Sequence, residues 1–299
     1  IHEWIFHKLL KYEKLPGLKY EFVPLFINGK SMGIYAIEEH FDTILIESNE
    51  YKEGPILKLS ESDLWQRAAN NKDIKFERFE EWDEISFENT YPEVFQEKSI
   101  TENPILRKNL EYANYLLESF LKNELNTSEV FDIDSLAKYV ALIDLGGAGH
   151  ALKWHNLRFY YNPIIAKLIP VGFDANAGYI QSELPIKKAK FAKKFLLDQE
   201  FRKSYLKYLV KFSDIKYLDK FFDSISEEFE FNKKLLYKNN PALIQKKEVY
   251  YRNQSFIKSE LNQYNYIRAN LQSKNNKRIS IYLENKSIGD IRPISLKVN

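Results

Sequence analysis

The chain has 299 residues, 44% hydrophobic and 15% aromatic, with 44 basic against 42 acidic side chains and no cysteine. That length buries a large core, as one big domain or two closely packed lobes. The near-even charge, with no long block of one sign, removes nucleic acid as the default partner, and without thiols any metal must be held by oxygen or imidazole.

No apolar run approaches the roughly 18 residues that a membrane-spanning helix needs. The opening Ile1-His2-Glu3-Trp4-Ile5-Phe6 has the pattern of a helix interior, not of a signal peptide, so the chain is expected to be a trimmed piece of a longer protein. Helical spacing from Trp4 to Leu10 ends at Leu15-Pro16-Gly17. Segments 20–27 and 33–37 are rich in aromatic and β-branched residues and flank Asn28-Gly29, a strong hairpin signal. A short helix is expected after Glu38-Glu39-His40-Phe41-Asp42, and a strand at 55–59. Residues 61–104 carry Glu, Asn and Asp with scattered aromatics, and their pattern selects no element.

Apolar positions three and four apart predict helices over 105–124 and 132–145, the second capped by Asp132 and closed by Gly146-Gly147. Strands 157–161 and 167–171 follow, joined across Asn162-Pro163. Amphipathic helical stretches are expected near 190–212, 215–238 and 246–272, with a strand at 279–284. Tyr and Phe recur at core spacing in these helices, so the aromatic load is structural.

If the two strands around Asn162-Pro163 pair antiparallel, Asn156 precedes the first and Asp174 follows the second, at one open end. Asp174, Asn156 and Asn176 then converge as a hard oxygen set, which suits magnesium when phosphate oxygens and water complete the shell. Gly172 and Gly178 bracket the loop. In protein kinases an Asn closing the catalytic loop and an Asp after the next hairpin hold the metal ions on ATP phosphates.

Five pieces in order carry a resemblance to the CotH kinase family, related to a bacterial spore-coat kinase. They are Phe26-Ile27-Asn28-Gly29 with Gly33-Ile34-Tyr35 and Glu39; Leu57-Lys58; His155-Asn156 with Phe159-Tyr160-Tyr161; Ile169-Pro170 with Phe173-Asp174-Ala175-Asn176; and Asp198-Gln199-Glu200-Phe201-Arg202. The resemblance implies an α+β, atypical protein-kinase-like fold with a small β-rich upper part and a larger, mostly helical lower part. Residues 1–299 would form a single domain, with 1–60 the remnant of an upper lobe whose first strands precede Ile1, and 61–299 the helical lobe containing the 157–171 hairpin. It implies phosphate transfer from ATP, with Mg2+ or Mn2+, to hydroxyls of a protein substrate.

Carried over by the same resemblance, Asp174 is the metal-binding Asp, Asn156 the catalytic-loop Asn, Asn176 an accessory ligand and Glu39 the acid of the upper lobe, with Lys58 a contact for phosphates. Glu39 also fits a helix-start carboxylate, and Lys58 a lysine snorkelling from a strand end. A parent with a signal peptide would place the protein in a bacterial cell envelope or spore coat, or outside the cell.

The sequence departs from the kinase pattern at the base. Residues 145–156, LGGAGHALKWHN, contain no carboxylate, which leaves Asp144 at the preceding helix end and His150, whose imidazole titrates near neutrality. The competing readings are an Asp144 that faces solvent or caps a neighbour and a His150 that is a structural histidine. The Gly146-Gly147-Ala148-Gly149 run follows a helix and lacks the Lys and Ser/Thr of a phosphate loop. His2, His7 and His40 have no zinc-ligand spacing, and no G-x-S-x-G elbow is present. A pseudokinase, or a structural module of an envelope or spore-coat assembly, is the alternative.

Overall fold

The computed structural model describes residues 1–70, 85–241, 247–262, 267–274 and 279–285. Its first helix, α1 (His2–Tyr12), buries Trp4, Ile5, Phe6, Leu9 and Leu10 along one side. Asn28 and Gly29, both left-handed (φ 49° and 77°), then turn β1 (Tyr20–Ile27) into β2 (Lys30–Glu38), a two-stranded ribbon of its own. Positive φ at both central residues matches the right-handed strand twist, which is why Asn-Gly does this job. Asp42 caps α2 (Thr43–Ser48) by accepting from the Leu45 amide at 3.2 Å.

β3 (Ile56–Leu59) leads through α3 (Ser62–Asn70) to β4 (Pro92–Val94) and α4 (Glu97–Glu102). These give structure to the stretch 61–104, of which 71–84 lies outside the described residues. Helices α5 (Pro104–Leu121), α6 (Thr127–Val130) and α7 (Ile133–Gly146) precede the hairpin β5 (Arg158–Asn162) and β6 (Lys167–Val171). The hairpin belongs to an antiparallel sheet of order β4-β3-β5-β6, in which Leu57 faces Phe159 and Phe159 faces Pro170.

The remaining chain forms α8 (Lys190–Lys193), α9 (Gln199–Phe212), α10 (Ile215–Ser224), α11 (Ser226–Asn239) and α12 (Glu248–Leu261), then a ribbon of β7 (Ile267–Lys274) and β8 (Ile279–Asn285). Two expected helices are therefore divided. Asp198 starts a new helix inside 190–212 by accepting from the Glu200 amide, and 215–238 breaks at Ile225. A third is corrected: the helix expected over 246–272 ends at Leu261, and Ile267 onward pairs with β8 as a strand. Apolar spacing alone does not separate helix from strand in so short a run, and cross-strand pairing settles it. Residues 246 and 263–266 of that stretch lie outside the described residues.

The fold is thus mixed α+β, with small antiparallel sheets among many helices, as the kinase-like reading requires. One apolar cluster runs from Trp4 to Ile257 with α7 at its centre, fully buried from Tyr139 to Gly146 and contacted by α1, α9 and α12. Behind β5, Phe131 meets Phe120 and Phe159 at 5.0 Å and Phe195 at 5.4 Å between ring centres. Burying each ring stabilises by about 2–3 kcal/mol. That rigid backing fixes where both ends of the hairpin emerge.

Candidate functional site

At the open end of the β5–β6 hairpin, Asn156 and Asp174 meet on one imidazole. Asn156 Nδ2 lies 2.9 Å from His150 Nδ1 and donates to the His150 carbonyl at 3.1 Å. The same Nδ1 is 3.0 Å from the Asp174 carbonyl and 3.4 Å from Asp174 Oδ2. One ring nitrogen serves as donor or acceptor, not both, so these contacts compete. The hydrogen bond to Asp174 raises the His150 pKa above its usual value against the opposing effect of burial, and the same bond lowers that of Asp174. The protonated Nδ1 therefore points at Asp174, and the Asn156 amide N–H is satisfied by the His150 carbonyl.

The loop carrying Asp174 is held in unusual backbone shape. Asp174 and Asn176 have φ of 40° and 43° and Gly178 of 98°. Asp and Asn tolerate the left-handed region better than other side chains, yet two such residues in one short loop store strain that the surroundings must hold. Three elements supply the hold. Glu3 at the start of α1 accepts from the Ala175 amide at 2.8 Å. Gly178 and Tyr179 donate to the carbonyls of Gly146 and Gly147 at 2.8 and 3.3 Å, so the loop is stitched to the end of α7. The fully buried Asn253 of α12 donates to the Leu145 and Tyr179 carbonyls and accepts from the Gln181 amide. Gly147, itself left-handed at φ 60°, leaves no room for a side chain, since a Cβ there would sit 1.9 Å from the Tyr179 carbonyl oxygen.

Beneath the loop lies Arg158, which the sequence reading did not single out. Its buried guanidinium stacks 4.7 Å from the Phe173 ring centre and 5.8 and 5.7 Å from those of Phe41 and Phe95. Nη1 donates to the carbonyls of His155 (2.7 Å) and Leu157 (3.1 Å), and Nη2 lies 3.6 Å from Glu61. Arg158 thus ties the strand after Asn156 to the residue before Asp174. A charged residue inside the apolar run Leu157-Arg158-Phe159-Tyr160-Tyr161 was the available signal. Glu3 left none, because its contact lies 172 residues along the chain.

The other candidates are placed as follows. Asn176 is exposed, its amide 3.4 Å from the Tyr179 hydroxyl. Lys58 pairs with Glu93 at 3.2 Å, directly across from it on β4. Glu39 accepts from the Lys19 amide at 3.1 Å, closing the base of the β1–β2 ribbon. Among the described residues neither Lys58 nor Glu39 touches Asp174. Asp144 is fully buried on α7, where it accepts a hydrogen bond from the Tyr205 hydroxyl, and burial pushes its pKa up to about 8.

Among the described residues no three His, Asp or Glu side chains are grouped to hold a metal by themselves. One carboxylate with two carboxamides still fits magnesium, an ion that keeps several waters and takes the rest of its shell from substrate phosphates. With this geometry in view, a kinase-like protein is the class the hairpin and its loop define. Residues 2–262 match the CotH kinase protein family, and the chain belongs to it. No curated protein matches the chain. Among the described residues no helix is long and apolar enough to cross a membrane.

Proposed function

We propose that this chain is one kinase domain that uses ATP and a divalent metal to phosphorylate hydroxyls of a protein substrate. Asp174 and Asn156 are its metal-holding residues, with Asn176 at the exposed rim. The observation that supports this best is the convergence of Asn156 and Asp174 on His150 Nδ1, the Asn156 amide at 2.9 Å and the Asp174 carboxylate at 3.4 Å. A bound magnesium would supply charge neutralisation at the phosphates; holding the donors ready is the task of Arg158, Glu3 and the end of α7.

His150 fits the base better than Asp144 does. With Nδ1–H directed at Asp174, Nε2 of the neutral ring carries the lone pair, and the bond to Asp174 raises the ring's proton affinity. Lys58, anchored by Glu93, and Glu39 would line the nucleotide side. A specific observation also favours a pseudokinase: Asp144, the carboxylate just before residues 145–156, is sealed in the core against Tyr205.

Two measurements separate these readings. Magnesium with ATP raises the melting temperature of the wild type, and Asp174→Ala abolishes the rise; equal responses overturn the metal assignment. With labelled ATP and candidate proteins, His150→Ala retains the thermal shift and loses label transfer. A wild type that shifts with ATP but labels nothing is the pseudokinase.

A further inference from the structure

A cleft of about 580 Å³ lies at the far end of α1 from the Asp174 loop. It opens where the end of α1, the first half of α7, the end of α9 and the start of α10 come together. Its charge is lopsided. Lys14, Lys216 and Lys220 line it, and among the described residues their ammonium groups make no ion pair or hydrogen bond. Lys211 joins them, fixed by the buried carboxylate of Glu13 through bonds of 2.7 and 2.6 Å. Lys138 is steered in from α7 by the Glu13 carbonyl at 3.2 Å and by Asp134 at 3.6 Å.

Against these five lysines stand Glu13 and Asp214 in the wall and the Asp134 that pairs with Lys138, which leaves a surplus of two positive charges. The Tyr217 hydroxyl is buried in the same wall, facing the Glu13 carboxylate. Tyr217 stands edge-on to the exposed Tyr12, 6.0 Å between ring centres, and this pair gives the rim an apolar face.

We propose that this cleft docks a phosphorylated segment of a protein partner, with the phosphate monoester among Lys14, Lys216 and Lys220. A phosphoserine or phosphothreonine brings a charge of about −1.5 to −2 and three acceptor oxygens, which suits a surplus of ammonium groups. A single carboxylate would leave half of that surplus unmatched. The volume falls within the roughly 300–1,000 Å³ of ordinary ligand sites, enough for the phosphorylated side chain, while flanking residues lie on Tyr12. The proposal is independent of transfer chemistry at Asp174. Glu3 and Glu13 stand ten residues apart on and just beyond α1, about 15 Å at helical rise, so a bound segment of about five extended residues would span cleft and loop.

The test is binding to the whole chain of a degenerate peptide library with one central phosphoserine, followed by fluorescence anisotropy. The phosphorylated library binds at least tenfold tighter than the same library with serine, and its affinity falls with added salt. The double variant Lys216→Glu/Lys220→Glu, at two exposed positions, loses at least tenfold in affinity with its melting temperature and circular dichroism unchanged. Lys108→Glu, on α5, binds as the wild type does. Equal binding of the two libraries, or a double variant that binds like Lys108→Glu, overturns the proposal. So does inorganic phosphate that binds as tightly as the library, since the peptide then contributes nothing.

Discussion

Replacing Asp144 with Asn separates a structural from a catalytic role for the carboxylate at the end of α7. Asp144 is fully buried, one oxygen accepting from Tyr205 and the other, Oδ1, without a partner. Burial lifts its pKa from 3.8 to about 8, so the folded protein holds the proton at pH 7 while the unfolded chain has released it. Its contribution to stability is then most favourable below about pH 4 and falls as pH rises towards 8, by about 1.4 kcal/mol per unit. At pH 7 the accumulated cost is on the order of 4 kcal/mol by this linkage. Asn keeps an acceptor for Tyr205 and has no proton to take up, at the expense of one unpartnered amide in place of one unpartnered oxygen.

The net gain for Asp144→Asn is therefore about 3 kcal/mol at pH 7, or about 5 °C in melting temperature for a chain of this size. Melting curves from pH 5 to 9 give the check: the variant gains little at pH 5 and most at pH 8. Label transfer, where the wild type shows it, survives the change if His150 is the base. A variant that melts lower than the wild type at pH 8, or that keeps the wild-type slope with pH, would refute the argument from burial. Loss of transfer in a stabilised variant would return Asp144 to the chemistry.

Glu3→Ala removes the carboxylate that accepts from the Ala175 amide, and is expected to lower stability by about 2 kcal/mol and weaken the thermal response to magnesium and ATP, with Glu3→Gln retaining most of both. Gly147→Ala forces a side chain onto a left-handed residue and into the Tyr179 carbonyl, so calorimetry should show a loss of about 3 kcal/mol or more. The His150–Asp174 contact raises the histidine pKa, so its stabilisation is complete below about pH 6.5 and fades as pH climbs through the raised value. His150→Gln should remove that part of the pH dependence of melting, and an unchanged profile would count against the contact.

What was legible in the sequence was short-range. Asn28-Gly29 marks its own turn because the two residues need φ values that other pairs avoid. Asp132 caps α7 by accepting from the Ser135 amide at 3.1 Å, a contact contained in four residues, and Gly147 ends the helix in the left-handed form that a glycine allows. The hairpin was legible for the same reason, and with it the likelihood that its flanking residues share one end. The break at Asp198 was not, because that carboxylate also accepts from the Ser128 amide at 2.8 Å, a partner 70 residues away. Nor was the strand after α12, whose identity depends on pairing with β8. Within the site the donor residues belong to the local pattern, whereas Arg158 among three aromatic rings and Glu3 beneath Ala175 exist only once distant segments have met.

That division bears on why the loop can hold its shape. Left-handed backbone at Asp174 and at Asn176 costs on the order of 1–3 kcal/mol each, and the long 3.4 Å contact of Asn176 with the Tyr179 hydroxyl repays little of it. The repayment comes from α1 through Glu3, from the end of α7 through the Gly146 and Gly147 carbonyls, and from α12 through Asn253. All three belong to the one apolar core centred on α7, so the loop's geometry depends on the folding of that whole core and is not a property of its own six residues. A turn needed only to reverse the chain would have an unstrained solution at lower cost. Strain held by three separate elements, at the point where a carboxylate and a carboxamide face one imidazole, is what a preorganised ligand site requires.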